Sequence, residues 1–325
     1  MANKTRALLL FQKNPDGLVY RPGEEALKRL LEESDLNITM DKDDLDSCQY
    51  VITTSPHRLR KIKGDIKGQK VIAFALLDSK GDTFVSREEE PELRSLKNYD
   101  KADLVLSQTH AEKEYLEKEG VIAPIAIFPL IRPLDIKGKT PALERPVVLR
   151  HFGFDSAKPL YVLFGLYQDH DCMKEVEGLA RIVPNSQFLF FALKPKSEKT
   201  PIHYSNKAKI NNLVYSEEIR PEFYRSAILN AKAIVIMDPW LGDPSLLIDA
   251  AYSKKPIISV HLPLLEGLLV PGKAYREYKP GVINLYEELK DVETGKYKEP
   301  DSAYEKALWG KAKDFGWKEI ENMID

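Results

Sequence analysis

Short runs rich in β-branched and aromatic residues alternate with longer amphipathic stretches, and this alternation passes along the chain twice. Strands covered on both faces by crossover helices read as such runs, so the pattern restricts the chain to βαβ units and mostly parallel sheets. In the first half, strands are expected at Arg6–Phe11, Tyr50–Thr53, Lys70–Ala75, Asp103–Ser107 and Ile125–Phe128. Helical spacing with charged outer faces marks Glu24–Glu33, Arg87–Asn98 and Ala111–Glu119. The second half repeats the theme with strands at Leu160–Phe164, Gln187–Phe191, Leu213–Tyr215, Ala233–Met237 and Ile257–Val260. Its helices are expected near Met173–Ile182, Pro221–Asn230 and Ser245–Ser253.

At 325 residues the chain is long for one core and comfortable for two domains of roughly 150 residues each. The expected architecture is α/β, with two Rossmann-like domains facing a central cleft. Pro129 to Pro159 holds five prolines and little periodicity, as an interdomain linker plus a peripheral segment does, which places the hinge near residue 135. The domains are then 1–135 and 136–302, followed by a C-terminal helical segment, 303–325, with Leu308, Trp317 and Ile320 among its apolar positions. Basic and acidic residues number 48 and 50, so no charge excess points to a nucleic acid. Cys48 and Cys172 stand far apart in no metal spacing, so neither a disulfide framework nor a metal or cofactor site is expected. The apolar run Ala7–Phe11 is short for a signal-peptide core or a membrane span, and the expected location is the cytoplasm.

Open parallel sheets bind ligands at the carboxyl ends of their strands, which directs attention to the loops after strands. The first such loop, Gln12–Gly23, contains Gly17 and ends where a helix is expected from Glu24. Its glycines permit tight turns, and a helix N-terminus takes an anion or hydroxyls. It lacks the spacing of a dinucleotide fingerprint, so an ordinary surface loop is the alternative.

Four segments, read in order, resemble the retaining glycosyltransferases of family four, above all the diacylglycerol and polysaccharide glycosyltransferases of low-GC bacteria. They are YVITTSP at 50–56, KADLVLSQT at 101–109, PNSQFLFF at 184–191 and LLIDAAYSKKPII at 246–258. Together they cover most of residues 1–290 in the family's order and spacing. The resemblance implies the GT-B fold, with an acceptor-side first domain and a nucleotide-sugar-side second domain. It also implies transfer of a hexose from a UDP- or GDP-linked sugar to a hydroxyl of a lipid or glycan. A lipid acceptor would bring peripheral contact with a membrane surface.

The family's devices depart from pattern here. A cationic pair that the family sets against the leaving diphosphate corresponds to His170 and Asp171, with Gly165 in the strand before and Lys174 on the following helix. Asp169 and Asp171 would repel that diphosphate, and a solvated strand-to-helix turn is the other reading. Of the family's two glutamates, the ribose-binding one corresponds to Asp249 and its partner to Leu241. Asp243 is the substitute carboxylate for the sugar, hence the candidate catalytic residue, or else an N-cap for the helix beginning at Pro244 and Ser245. Asp249 is either the ribose contact or an ordinary exposed helix acid. The histidine segment of the first domain corresponds to Phe74–Asp78 and contains no histidine; Asp78 or Asp82 is the candidate at the acceptor, or else part of a solvated turn. His57 and His261, at strand ends, are candidates for substrate contact. Three functions remain open, the first two being an active glycosyltransferase and a catalytically silent homologue acting as a partner or binding protein. A small-molecule binding module on the same pair of halves is the third.

Overall fold

The computed structural model describes residues 5–10, 22–34, 36–54, 66–75, 96–132, 144–166, 170–193, 210–216, 221–239, 241, 243–297, 308 and 315–324. Two six-stranded sheets organise them, and every strand pairing in both is parallel. The first runs in the order β2-β1-β3-β4-β5-β6. These strands are β1 (Arg6–Leu10), β2 (Asn37–Thr39), β3 (Tyr50–Thr53), β4 (Lys70–Phe74), β5 (Leu104–Ser107) and β6 (Ile125–Ile127). The second runs β12-β11-β10-β7-β8-β9. It is built from β7 (Leu160–Leu166), β8 (Gln187–Leu193), β9 (Leu213–Ser216), β10 (Ala233–Ile236), β11 (Ile257–Ser259) and β12 (Arg276–Glu277).

Alternate residues of β1 feed opposite faces, as the twofold period of a strand requires. Ala7 and Leu9 pack with Ala26, Leu27, Leu30 and Leu31 of α1 (Pro22–Glu32), whereas Leu8 and Leu10 pack on the other face with Val51, Tyr99 and Leu116. Leu116 belongs to α2 (His110–Lys118). The second domain gathers β7, β8 and β10 into one cluster with α4 (His170–Ile182), α5 (Pro221–Asn230) and α6 (Ser245–Tyr252).

The structure departs from expectation in the region between the halves. Within the span read as linker lies a helix, α3 (Arg145–His151), whose Pro146 occupies the first turn, where a missing N–H costs nothing. Arg145 ties it down by donating to the carbonyls of Asn230 and Lys158. Leu130 packs into the first domain's core and Ile131 into the second's, so the cores change hands between adjacent residues. A further helix, α7 (Val282–Glu293), and the short edge strands β2 and β12 also went unpredicted. The helix expected at Arg87–Asn98 falls largely outside the described residues, and Lys97–Lys101 forms a 3-10 helix. At the C-terminus, Leu308 packs in the second core, whereas α8 (Trp317–Ile324) lies on the first domain. There Trp317 meets Tyr50 edge-on at 5.1 Å, and Phe315 meets Phe128 at 5.3 Å.

Among the described residues, two hydrogen bonds link the sheets. Gly23, after β1, bonds Asp243, after β10; Thr109, after β5, bonds Leu264, after β11. All four residues follow strands, so the carboxyl ends of the two sheets face each other across a cleft. The sequence-level expectation of two Rossmann-like domains opposed in this way is the architecture observed. No described helix is long and apolar enough to cross a membrane.

Candidate functional site at the domain junction

Asp243 is the residue on which the two domains converge. Its Oδ2 accepts from the Gly23 N–H at 2.9 Å, in the first turn of α1, and its Oδ1 accepts from the Ser245 N–H at 2.9 Å, at the start of α6. Helix N-termini carry unsatisfied N–H groups and partial positive charge, so a carboxylate between two of them is favourably placed. Pro244 contributes no N–H to the first turn of α6, which makes Ser245 the first donor there. Asp243 therefore does serve α6 in the manner of a cap, and it also reaches across the cleft. Ser245 is fully buried, and its hydroxyl has no hydrogen-bond partner among the described residues.

A second bridge lies at the N-terminus of α2. Thr109 Oγ1 accepts from the Glu112 N–H at 3.0 Å and donates to the Leu264 carbonyl at 2.6 Å. Glu112, fully buried, accepts in return from the Gln108 N–H. The Thr109-x-x-Glu112 spacing is a capping pattern visible in sequence, though its reach across the cleft is not. Leu264 itself packs into the first domain's core.

Asp249 lies in the second turn of α6 with no exposure, accepting from the Tyr224 hydroxyl at 3.0 Å. The expectation of an exposed helix acid is therefore corrected: residues 245–251 are buried all round, and an acid among them must find an internal donor. Leu241, where the resemblance placed a glutamate, is 4% exposed and belongs to the second core.

Gly165 stands in β7 under the start of α4. A Cβ there would sit 2.8 Å from Cys172 Sγ and 3.1 Å from the Phe190 ring, so only glycine lets α4 approach this closely. His170 opens α4, and its side chain lies outside the described part. Lys174, 65% exposed, pairs with Asp171 at 3.6 Å. His261 is exposed between Glu277, 3.0 Å from Nδ1, and Glu266, 3.2 Å from Nε2. Gly17, His57 and Asp78 lie outside the described residues, as do Leu76, Asp82 and Asp169. Of the candidates named from sequence, then, the structure brings Asp243 and Ser245 together at the junction and sets Asp249 beneath them on the same helix.

Sequence reasoning missed the buried partners Tyr224 and Glu175. Glu175 of α4 accepts from the Gly281 N–H at 3.0 Å beside Tyr278, whose hydroxyl is driven above the usual phenol range by burial first and by that carboxylate second. Among the described residues no group of His, Cys, Asp and Glu is arranged to hold a metal. A cavity of about 490 Å³ lies away from the cleft, between α1 and α8, with Arg132 and Trp317 in its wall.

No family model and no curated protein matches the sequence. Solved structures do match. Sucrose-phosphate synthase from Thermosynechococcus elongatus aligns over 99% of this chain and 97% of its own, with a TM-score of 0.64 at 10% identity. HepE from Anabaena, in complex with UDP-glucose, aligns over 98% of both chains with a TM-score of 0.65 at 12% identity. A UDP-N-acetylglucosamine 2-epimerase described as putative, from Listeria monocytogenes, aligns over 90% of this chain and 88% of its own, with a TM-score of 0.53 at 12% identity. The chain thus has the GT-B fold over almost its whole length.

Proposed function

We propose that the chain is a retaining glycosyltransferase of the family-four kind, binding a UDP- or GDP-linked sugar in the cleft and transferring the hexose to a hydroxyl of a lipid or glycan. The observation that carries the proposal is the convergence of the Gly23 and Ser245 N–H groups, one from each domain, on a single pair of carboxylate oxygens. Two such donors suit an anionic group that bridges the cleft, and a diphosphate meets them once Asp243 swings aside. Asp243 then offers its carboxylate to positive character developing at the transferred sugar. Lys174, well exposed on α4, and His170 supply positive charge toward the departing diphosphate. The Ser245 hydroxyl, buried and without a partner among the described residues, becomes available to a phosphate or sugar oxygen once Asp243 moves. Gly165 acts by letting α4 seat close to the sheet, and Asp249 acts on the donor through Tyr224 and α6. Gly17, His57 and Asp78 are carried over from the sequence as substrate contacts of the first domain, and His261, exposed beside Glu266 and Glu277, as one of the second. The UDP-glucose held by HepE on the same fold supports a nucleotide sugar as the ligand.

The silent-homologue reading is favoured by a different observation: a buried leucine, Leu241, stands where the resemblance requires a carboxylate. One experiment separates the two. Thermal denaturation is followed with UDP-glucose, other UDP-sugars and GDP-sugars, and nucleotide release is then assayed with lipid and oligosaccharide acceptors. A ligand at 100 times its Kd adds about 2.7 kcal/mol. Stabilisation with release supports the enzyme; stabilisation without release on any acceptor supports the silent homologue; no stabilisation by any nucleotide sugar overturns both.

A further inference from the structure

We propose that Asp243 is a latch: with its two oxygens it holds α1 of the first domain to α6 of the second and keeps the cleft closed in the absence of ligand. An aspartate at a helix start ordinarily spends its side chain on its own helix. Here only Oδ1 does so, through Ser245, and Oδ2 goes to Gly23, 220 residues away in the other domain. The chain's own anion therefore sits where backbone donors from both domains meet. Opening the cleft separates Gly23 from Ser245, and one carboxylate cannot follow both.

The chemistry of the group matters as well as its place. A carboxylate offers two acceptors and no donor, so it satisfies two N–H groups at once. An asparagine keeps the shape but has one acceptor, and its amide nitrogen meets the second N–H as donor against donor. The other bridge, Thr109 to the Leu264 carbonyl, sits beside the Leu264 side chain buried in the first core and does not depend on charge. Of these two bridges the Asp243 contact is the charged one. The latch stands whatever the cleft binds. An anionic ligand seeking the same N–H groups must first displace Asp243, so closure and ligand entry compete for them.

The test uses cysteines placed on the two domains at exposed positions, Met40→Cys and Ile283→Cys, with the native Cys48 and Cys172 buried. Spin labels on them report the interdomain distance distribution by electron–electron resonance. The otherwise unmodified protein is expected to give one narrow distribution. Asp243→Ala and the near-isosteric Asp243→Asn are expected to lower the closed-to-open ratio by about ten- to a hundredfold, the range for hydrogen bonds to a charged group, and so to reveal a second, longer distance. Distributions for both variants that superimpose on the parent would overturn the latch. Titrating UDP and GDP into the same samples keeps the two proposals apart: a distance shift on mutation with neither nucleotide binding to any form supports the latch and sinks the nucleotide-sugar reading.

Discussion

Replacing Asp249 tests whether this carboxylate is a structural pin. It is wholly buried, and it accepts from a Tyr224 hydroxyl that is itself 1% exposed, at 3.0 Å. A hydrogen bond to a charged group contributes about 1.5–3 kcal/mol, and a buried donor left without its acceptor loses a comparable amount, which is the same loss counted from the other side. Asp249→Ala is therefore expected to destabilise the second domain by about 2–3 kcal/mol, and Tyr224→Phe by about 1.5–3 kcal/mol, because the latter leaves the carboxylate short of a donor. The double variant should cost little more than the worse single one, so the coupling energy should be about 1.5–3 kcal/mol. Asp249→Asn, whose Oδ1 still accepts from the hydroxyl, should cost least. Urea denaturation with all four proteins gives the cycle directly. A coupling energy below about 0.5 kcal/mol, the scatter of independent sites, would refute the pin.

Three further outcomes follow from packing, capping and titration. Gly165→Ala pushes a Cβ to within 2.8 Å of Cys172 Sγ and 3.1 Å of the Phe190 ring, and is expected to cost about 1–3 kcal/mol by overpacking. Adding Cys172→Ala should recover part of that cost, and no recovery would refute the clash as its cause. Thr109→Val loses both the cap of α2 and the bond to Leu264, and should destabilise by about 1–2 kcal/mol; Thr109→Ser should lose less, as melting temperatures will show. Burial pushes the hydroxyls of Tyr161, Tyr278 and Tyr297 above the usual phenol range, with Glu293 adding to the effect at Tyr161 and Glu175 at Tyr278. The native state keeps these protons where an unfolded chain releases them near pH ~10, so this stability is complete below pH ~10 and is lost as pH rises above it. Phenolate absorbance should show these three ionising only together with unfolding, and their free titration near pH ~10 in the native protein would contradict the burial.

Buried elements were the legible ones. The ranges Tyr50–Thr53 and Pro221–Asn230 match at both ends, because apolar runs bounded by breakers carry a strong signal. The edge strands β2 and β12, three and two residues long and mostly polar, carry almost none. Helix α3 was hidden by Pro146, read as a breaker although the first turn accepts proline, and α7 by having only Leu285 and Leu289 buried. For Asp249 the missed signal was present: Leu246, Leu247, Ile248, Ala250 and Ala251 surround it, and a helix apolar on every side is a buried helix. The Asp243–Gly23 contact had no such signal. Nothing local to either residue encodes a partner 220 positions away, since that distance is set by how two cores dock.

Three carboxylates around the second sheet share one physical condition: each is bonded to a donor of the chain itself. Glu175 takes the Gly281 N–H, Asp249 the Tyr224 hydroxyl, and Asp243 the N–H groups of Gly23 and Ser245. Glu175 and Asp249 are 7% and 0% exposed, so a ligand that disturbed them would have to open the core and leave a buried charge without its donor. Asp243 is only partly buried, and water can solvate it when it lets go. Of the three, it is the one whose bonds can be exchanged for those of a ligand at small cost. The affinity of the cleft for an anion is then set by the difference between that anion and Asp243 at the same two N–H groups, so a ligand with a single weak charge gains little there and one with a multiply charged diphosphate gains most.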